Sequence, residues 1–105
     1  MDKISVRQVA TVIVMARELG RAEAELRGLI DRMDEEAQAA LTAIMWIGRG
    51  AFEAQEWSEA YKTAFAEAST PTADYLIGTP HLSDHLETGL DLLDFDVTNE
   101  EEAVL

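Results

Sequence analysis

Apolar side chains return along this chain at intervals of three and four, the spacing that lines one face of a 3.6-residue helix. Between Ser5 and Leu19 that face is Val6, Val9, Val12, Ile13, Ala16 and Leu19, with Arg7, Thr11 and Glu18 opposite. The β-branched density from Val9 to Val14 favours a strand. No alternation of period two accompanies it, so the segment is assigned as a helix with a stop at Gly20. Leu26, Leu29, Ile30 and Met33 continue the spacing over 22–33, as a second helix that either follows Gly20 or runs on through it. Asp34 is placed to cap a third helix, with Glu35 and Glu36 in its electropositive first turn and Ala37, Leu41, Ile44, Met45 and Gly48 inward. Gly48-Arg49-Gly50 ends it. A fourth helix over 55–68 presents an aromatic inner face: Trp57, Tyr61 and Phe65, with Ala64 and Ala68. Thr70-Pro71 and Thr79-Pro80 each put a hydroxyl at an N-cap and a proline at the first helical position. They predict a short helix ending at Gly78 and a last one that turns Leu82, Leu86, Gly89, Leu90 and Leu93 to the core.

Composition narrows the class. The chain has 105 residues, 48% of them hydrophobic, with six Gly and two Pro. That suits one helical domain over 1–93 with a modest core, and argues against disorder. The segment 94–105 holds acids and no base, and is expected to be a mobile acidic tail. Zero cysteines remove thiol catalysis, thiolate metal sites and disulfides. No apolar run approaches the roughly 20 residues of a membrane span, and the opening residues show no signal-peptide pattern. A soluble cytoplasmic protein is expected.

Charge changes the picture more. Twenty-one acids oppose eight Lys and Arg, for a net charge of −13, which disfavours direct binding to a phosphate backbone. The charge is also segregated: Lys3, Arg7, Arg17, Arg21, Arg27 and Arg32 all lie in the first 32 residues, and only Arg49 and Lys62 follow. Pairing of the basic front with the acidic remainder, within one chain or between two, is the natural consequence.

Few constellations could carry chemistry. Arg49, between two glycines at a helix end, either satisfies terminal carbonyls or anchors a carboxylate or phosphate framed by Trp46, Trp57 and Tyr75. The surrounding glycines do not have the spacing of a phosphate-cradling loop. His81 and His85 share a helix face four residues apart, but no third ligand is fixed by spacing, so no metal site is assigned. Asp94, Asp96, Thr98, Glu100 and Glu102 follow a calcium-loop register that fails at Asn99, where glycine is needed, and at Leu105, where glutamate is needed. The serines sit at caps or on helix surfaces, outside any nucleophile elbow. No catalytic residue or cofactor is assigned.

The segments Ile13-Val14-Met15-Ala16-Arg17-Glu18, Met45-Trp46-Ile47-Gly48-Arg49-Gly50, Asp74-Tyr75-Leu76-Ile77-Gly78-Thr79-Pro80 and Leu86-Glu87-Thr88-Gly89-Leu90 together resemble a small bacterial family, domain of unknown function 3775. The resemblance covers most of 4–102 and implies a compact helical domain sharing Trp46, Gly48, Arg49, Gly50, Tyr75, Gly78, Thr79 and Pro80, with no activity attached. This chain departs from the family pattern in three places. A short Gly20-Arg21-Ala22-Glu23-Ala24 link replaces an acidic insert, Ala51 stands where an aspartate is usual, and His81 and His85 replace leucine and tyrosine.

The sequence thus predicts an all-α bundle of five or six helices packed around the first and third. The Gly48-Arg49-Gly50 and Gly78-Thr79-Pro80 turns meet at one end. The expected function is a non-enzymatic interaction module whose partner is a protein with a basic surface or a second copy of itself. Two alternatives stand beside it: a small enzyme or binder holding an anionic metabolite with Arg49, Trp46, Trp57 and Tyr75, and an acidic mimic of nucleic acid.

Overall fold

The structure is a computed structural model that describes residues 3–93; residues 1–2 and 94–105, and with them the expected acidic tail, lie outside the described residues. Six α-helices follow in order: α1 Val6–Arg17, α2 Leu19–Asp31, α3 Glu35–Arg49, α4 Trp57–Ala66, α5 Thr72–Ile77 and α6 Leu82–Leu92, with a single 3-10 turn, Ala54–Glu56, leading into α4. No strand occurs among the described residues, so the β-branched run of α1 is helical. Tertiary burial decides it: Val9, Val12 and Ile13 are wholly buried on one side, which a helix achieves and an extended segment would not.

The ends of α1 and α3 follow from side-chain caps. Ser5 Oγ accepts from Gln8 N at 3.0 Å while Gln8 Oε1 accepts from Ser5 N at 2.9 Å, a reciprocal capping box. Asp34 Oδ1 accepts from Ala37 N at 2.8 Å, as its position in the sequence predicts. The break between α1 and α2 falls at Glu18, not at the expected Gly20. Glu18 leaves helical geometry at φ −111° and ψ 35°, and Gly20 sits inside the first turn of α2. α2 is closed by Gln38 of α3, whose Nε2 donates to the carbonyls of Ile30 at 2.9 Å and Met33 at 3.1 Å.

Helix α3 is the axis of the molecule. Nine of its fifteen residues are buried, and its most extensive packing is against α6, then α4. The expectation that α1 and α3 form the centre is corrected: α6 contacts both of them extensively. α3 and α6 run antiparallel and touch through glycines. A Cβ on Gly48 would lie 1.7 Å from the His85 carbonyl oxygen, and a Cβ on Gly89 would lie 2.2 Å from that of Ile44. Backbone therefore packs on backbone, and the wholly buried Leu41, Ile44, Met45, Leu86 and Leu90 close around the crossing. Each such large side chain contributes roughly 1.5–3 kcal/mol by leaving water. α1 joins α6 through the ion pair Arg17–Glu87 at 2.6 Å, and α2 joins α5 through Arg27–Asp74.

Three further expectations are corrected. The inner face of α4 is Ala60 and the expected Ala64, with Trp57 and Tyr61 half-buried against the core, whereas Phe65 and Ala68, also expected inward, are exposed, Phe65 by 45%. Two alanines let α4 approach α3 more closely than two aromatic rings would. Thr70 is not the cap of α5, which begins at Thr72 after Pro71 and lacks a side-chain cap. Thr79 closes α5 instead of opening α6: its hydroxyl donates to the Tyr75 carbonyl at 2.8 Å, and α6 begins after His81, a left-handed residue at φ 59°.

Candidate functional site

Glu35, Gln38, Ala39, Thr42 and Trp46 are spaced i, i+3, i+4, i+7 and i+11, so they form one stripe along α3, about 16 Å long at 1.5 Å per residue. Glu35 and Trp46 stand at its ends, and the small Ala39 and Thr42 lie between. α4 runs along one side of this stripe, contributing Ala64 and Phe65, and the connection 67–71 passes over to α5, which contributes Thr72 and Tyr75 on the other side. The three elements enclose a solvent-open cleft of about 570 Å³, within the size range of ligand sites.

The polar groups of the cleft are already partly committed. Trp46 Nε1 donates to Tyr75 Oη at 2.9 Å, which fixes both rings against each other. Thr42 Oγ1 donates to the Gln38 carbonyl at 3.1 Å, and both protons of Gln38 Nε2 are taken by the end of α2. Trp46 also stacks on Phe52 at 5.7 Å between ring centroids, so its position is set from two sides. What lines the cleft beside these are the carboxylates of Glu35 and Glu67, the Tyr75 hydroxyl, whose own proton is left to donate, and the hydroxyls of Ser69, Thr70 and Thr72, which serve either way. No lysine, arginine or histidine lines it among the described residues.

Of the four residues picked out as binding candidates, the fold brings Trp46 and Tyr75 together and leaves Arg49 and Trp57 outside the cleft. Arg49 is exposed at the end of α3 and makes no hydrogen bond or ion pair with a described residue. Its carbonyl-capping role is not realised either. Gly50, left-handed at φ 88°, donates to the Ile47 carbonyl at 3.1 Å, and Ala51 N donates to that of Trp46 at 2.9 Å, so backbone alone closes the helix in a Schellman arrangement. Trp57 stacks on Tyr61, which in turn packs on Phe65, at 6.3 and 6.2 Å along α4. Gly48 was expected as a turn residue and instead lies inside α3, where its missing side chain admits α6. Gly48 packs on the His85 and Gly89 backbone of α6, while Gly78, Thr79 and Pro80 lie in the link from α5 to α6.

His81 and His85 face each other edge-on with ring centroids 6.4 Å apart, and no cluster of three or more metal-ligating side chains occurs among the described residues. No described helix is long and apolar enough to cross a membrane.

The sequence pattern missed the cleft because Gln38, Ala39 and Thr42 fall off the main apolar stripe of α3. The available signal was Ala39 and Thr42 recurring between Glu35 and Trp46 on a second face, which leaves a furrow wherever neighbouring helices flank it.

No curated protein and no solved structure matches the chain. A family profile matches residues 23–95, which takes in most of α2 and all of α3 to α6, together with the Trp46–Gly50 and Tyr75–Pro80 segments. On that match the chain belongs to the family described as protein of unknown function DUF3775.

Proposed function

We propose that this protein is a non-catalytic interaction module that takes a partner with a basic surface into the cleft between α3, α4 and α5. The observation that carries this is the composition of the cleft: three aromatic rings, two carboxylates and no base among the described residues, in a chain of net charge −13. Such a surface attracts and orients a cationic partner and repels anionic ones. The anionic-metabolite alternative has less support, since Arg49 stands apart from the cleft.

Affinity purification from the native cell at low salt, followed by purified reconstitution of what is recovered, tests the proposal. The expected result is a saturable complex with a basic protein whose affinity falls steeply as salt rises. Light scattering over a concentration series identifies the case in which the partner is a second copy. A chain that stays monomeric at low salt and forms no complex with a basic protein contradicts the proposal, as does turnover of any substrate abolished by a single substitution.

A further inference from the structure

The two ends of the cleft floor differ in chemistry and are held a fixed distance apart. We infer that the cleft reads an extended segment of its partner at two points: a lysine or arginine seated at Glu35, and a large apolar side chain about five residues away on the Trp46–Tyr75 pair. The inference rests on the interaction-module proposal and adds to it the spacing and chemistry of the segment that is recognised.

The spacing comes from α3. Glu35 and Trp46 stand on one stripe of a single unbroken helix, so about 16 Å of floor separates them at 1.5 Å per residue. Between them the stripe carries no charge, and Ala39 and Thr42 are small and buried, so a main chain can lie low along it. An extended chain advances roughly 3.3 Å per residue and covers that length in about five residues. Spread along the floor, about 570 Å³ leaves a mean cross-section of roughly 35 Å², room for an extended chain but not for a helix about 10 Å across. The chemistry comes from the ends. Glu35 is an exposed carboxylate that pairs with no base among the described residues, and it attracts a cationic side chain while repelling an anionic one. At the other end Trp46 is pinned by its hydrogen bond to Tyr75 Oη and by its stack on Phe52. Tyr75 is nevertheless 36% exposed, so an apolar side chain laid on this pair removes ring surface from water. The Tyr75 hydroxyl keeps its own proton to donate, and an extended segment offers it carbonyls that no internal hydrogen bond has used.

The chain has two tryptophans, so Trp57→Phe leaves Trp46 as the sole tryptophan reporter, and Trp57 does not line the cleft. In that background, the peptide amides acetyl-Lys-Ser-Ala-Ser-Ala-Leu and acetyl-Leu-Ser-Ala-Ser-Ala-Lys present the two features in either chain direction. One of the two is expected to give a saturable change in Trp46 emission at low salt, with Kd below about 10 mM. In that peptide, alanine for leucine weakens binding about tenfold, alanine for lysine about two- to fivefold, and removal of two spacer residues about fivefold. Glu35→Gln, an exposed substitution, abolishes the advantage of lysine over alanine and leaves that of leucine in place, whereas Glu67→Gln leaves both. Equal affinity for the full and shortened spacings overturns the inference. So does a lysine advantage that survives Glu35→Gln or that Glu67→Gln removes instead, and so does the absence of saturation by about 10 mM of either peptide.

The two proposals fail separately. A basic partner that protects 35–46 and 64–75 from hydrogen exchange, beside peptides whose binding ignores the spacing, overturns the two-point reading and leaves the interaction module standing. Spacing-dependent peptide binding in a protein that forms no complex with any basic protein does the reverse.

Discussion

At Gly48 the absence of a single carbon sets the distance between the two principal helices. Any side chain there must displace the His85 backbone, whose carbonyl oxygen lies 1.7 Å from where its Cβ would fall, and backbone cannot rotate away as a side-chain tip can. Gly48→Ala is expected to destabilise the protein by about 1–3 kcal/mol or more through forced separation of α3 and α6. Gly20→Ala is the contrasting case. No neighbouring atom lies within 4 Å of the place a Cβ would take there, and Gly20 sits inside α2, so alanine is expected to stabilise by about 0.5–1 kcal/mol. Urea denaturation of the two variants should shift the midpoint in opposite directions, and a shared sign would contradict the packing described. The sequence marks both positions only as glycine within a helical pattern. What separates them is a helix distant in the chain, 37 residues away in the case of His85 and Gly48, and local spacing carries no record of it.

Helices that cap themselves were legible and helices fixed by neighbours were not. Asp34 and Ser5 act within their own first turns, so the pattern of a small polar residue before an apolar run locates them. Thr70 and Thr79 carry the same local signature and play other parts, because the short α5 is held at one end by the Arg27–Asp74 pair and closed at the other by Thr79 itself. Asp34→Ala is expected to cost about 1 kcal/mol of stability, whereas Thr70→Ala should stay within about 0.5 kcal/mol, as thermal or urea unfolding would read. α4 shows the other limit of periodicity. Trp57, Ala60, Tyr61 and Ala64 share the inward arc, and hydrophobic weight alone adds Phe65 to it. Close approach to α3 selects the alanines instead, which leaves Phe65 on the wall of the cleft. Phe65→Ala is therefore expected to leave stability nearly unchanged in urea unfolding while weakening binding of a basic partner several-fold in calorimetric titration.

Over the described residues, half of the six bases at the front of the chain pair with acids further along it. Lys3–Glu36, Arg17–Glu87 and Arg27–Asp74 each join a base of the first 32 residues to an acid beyond them. The pKa of Arg27 is raised above its already high ordinary value, chiefly by the hydrogen bond to Asp74. All three pairs are solvent-exposed and add little. The net charge of −13 dominates, and its self-repulsion weakens the compact state. Raising sodium chloride from about 0.02 to 0.5 M is thus expected to raise the thermal midpoint, since the screened repulsion outweighs the screened pairs; a falling midpoint would mean that the ion pairs hold the fold together. The same excess of acid, present at the cleft as Glu35 and Glu67 with no base among the described residues, is what the proposed function uses. The sequence disclosed the sign and size of that charge, but not that Glu35 and Glu67 line the same cleft as Trp46 and Tyr75, which depends on where α4 and α5 dock.

The most direct test is hydrogen–deuterium exchange of the full chain, alone and in complex with the basic partner recovered from the native cell. Binding through the cleft predicts slowed exchange concentrated in 35–46 and 64–75, with the α1–α2 surface unchanged, and loss of that protection in the Glu35→Gln, Glu67→Gln variant. Protection centred on any other face, or a footprint indifferent to those two carboxylates, would contradict it.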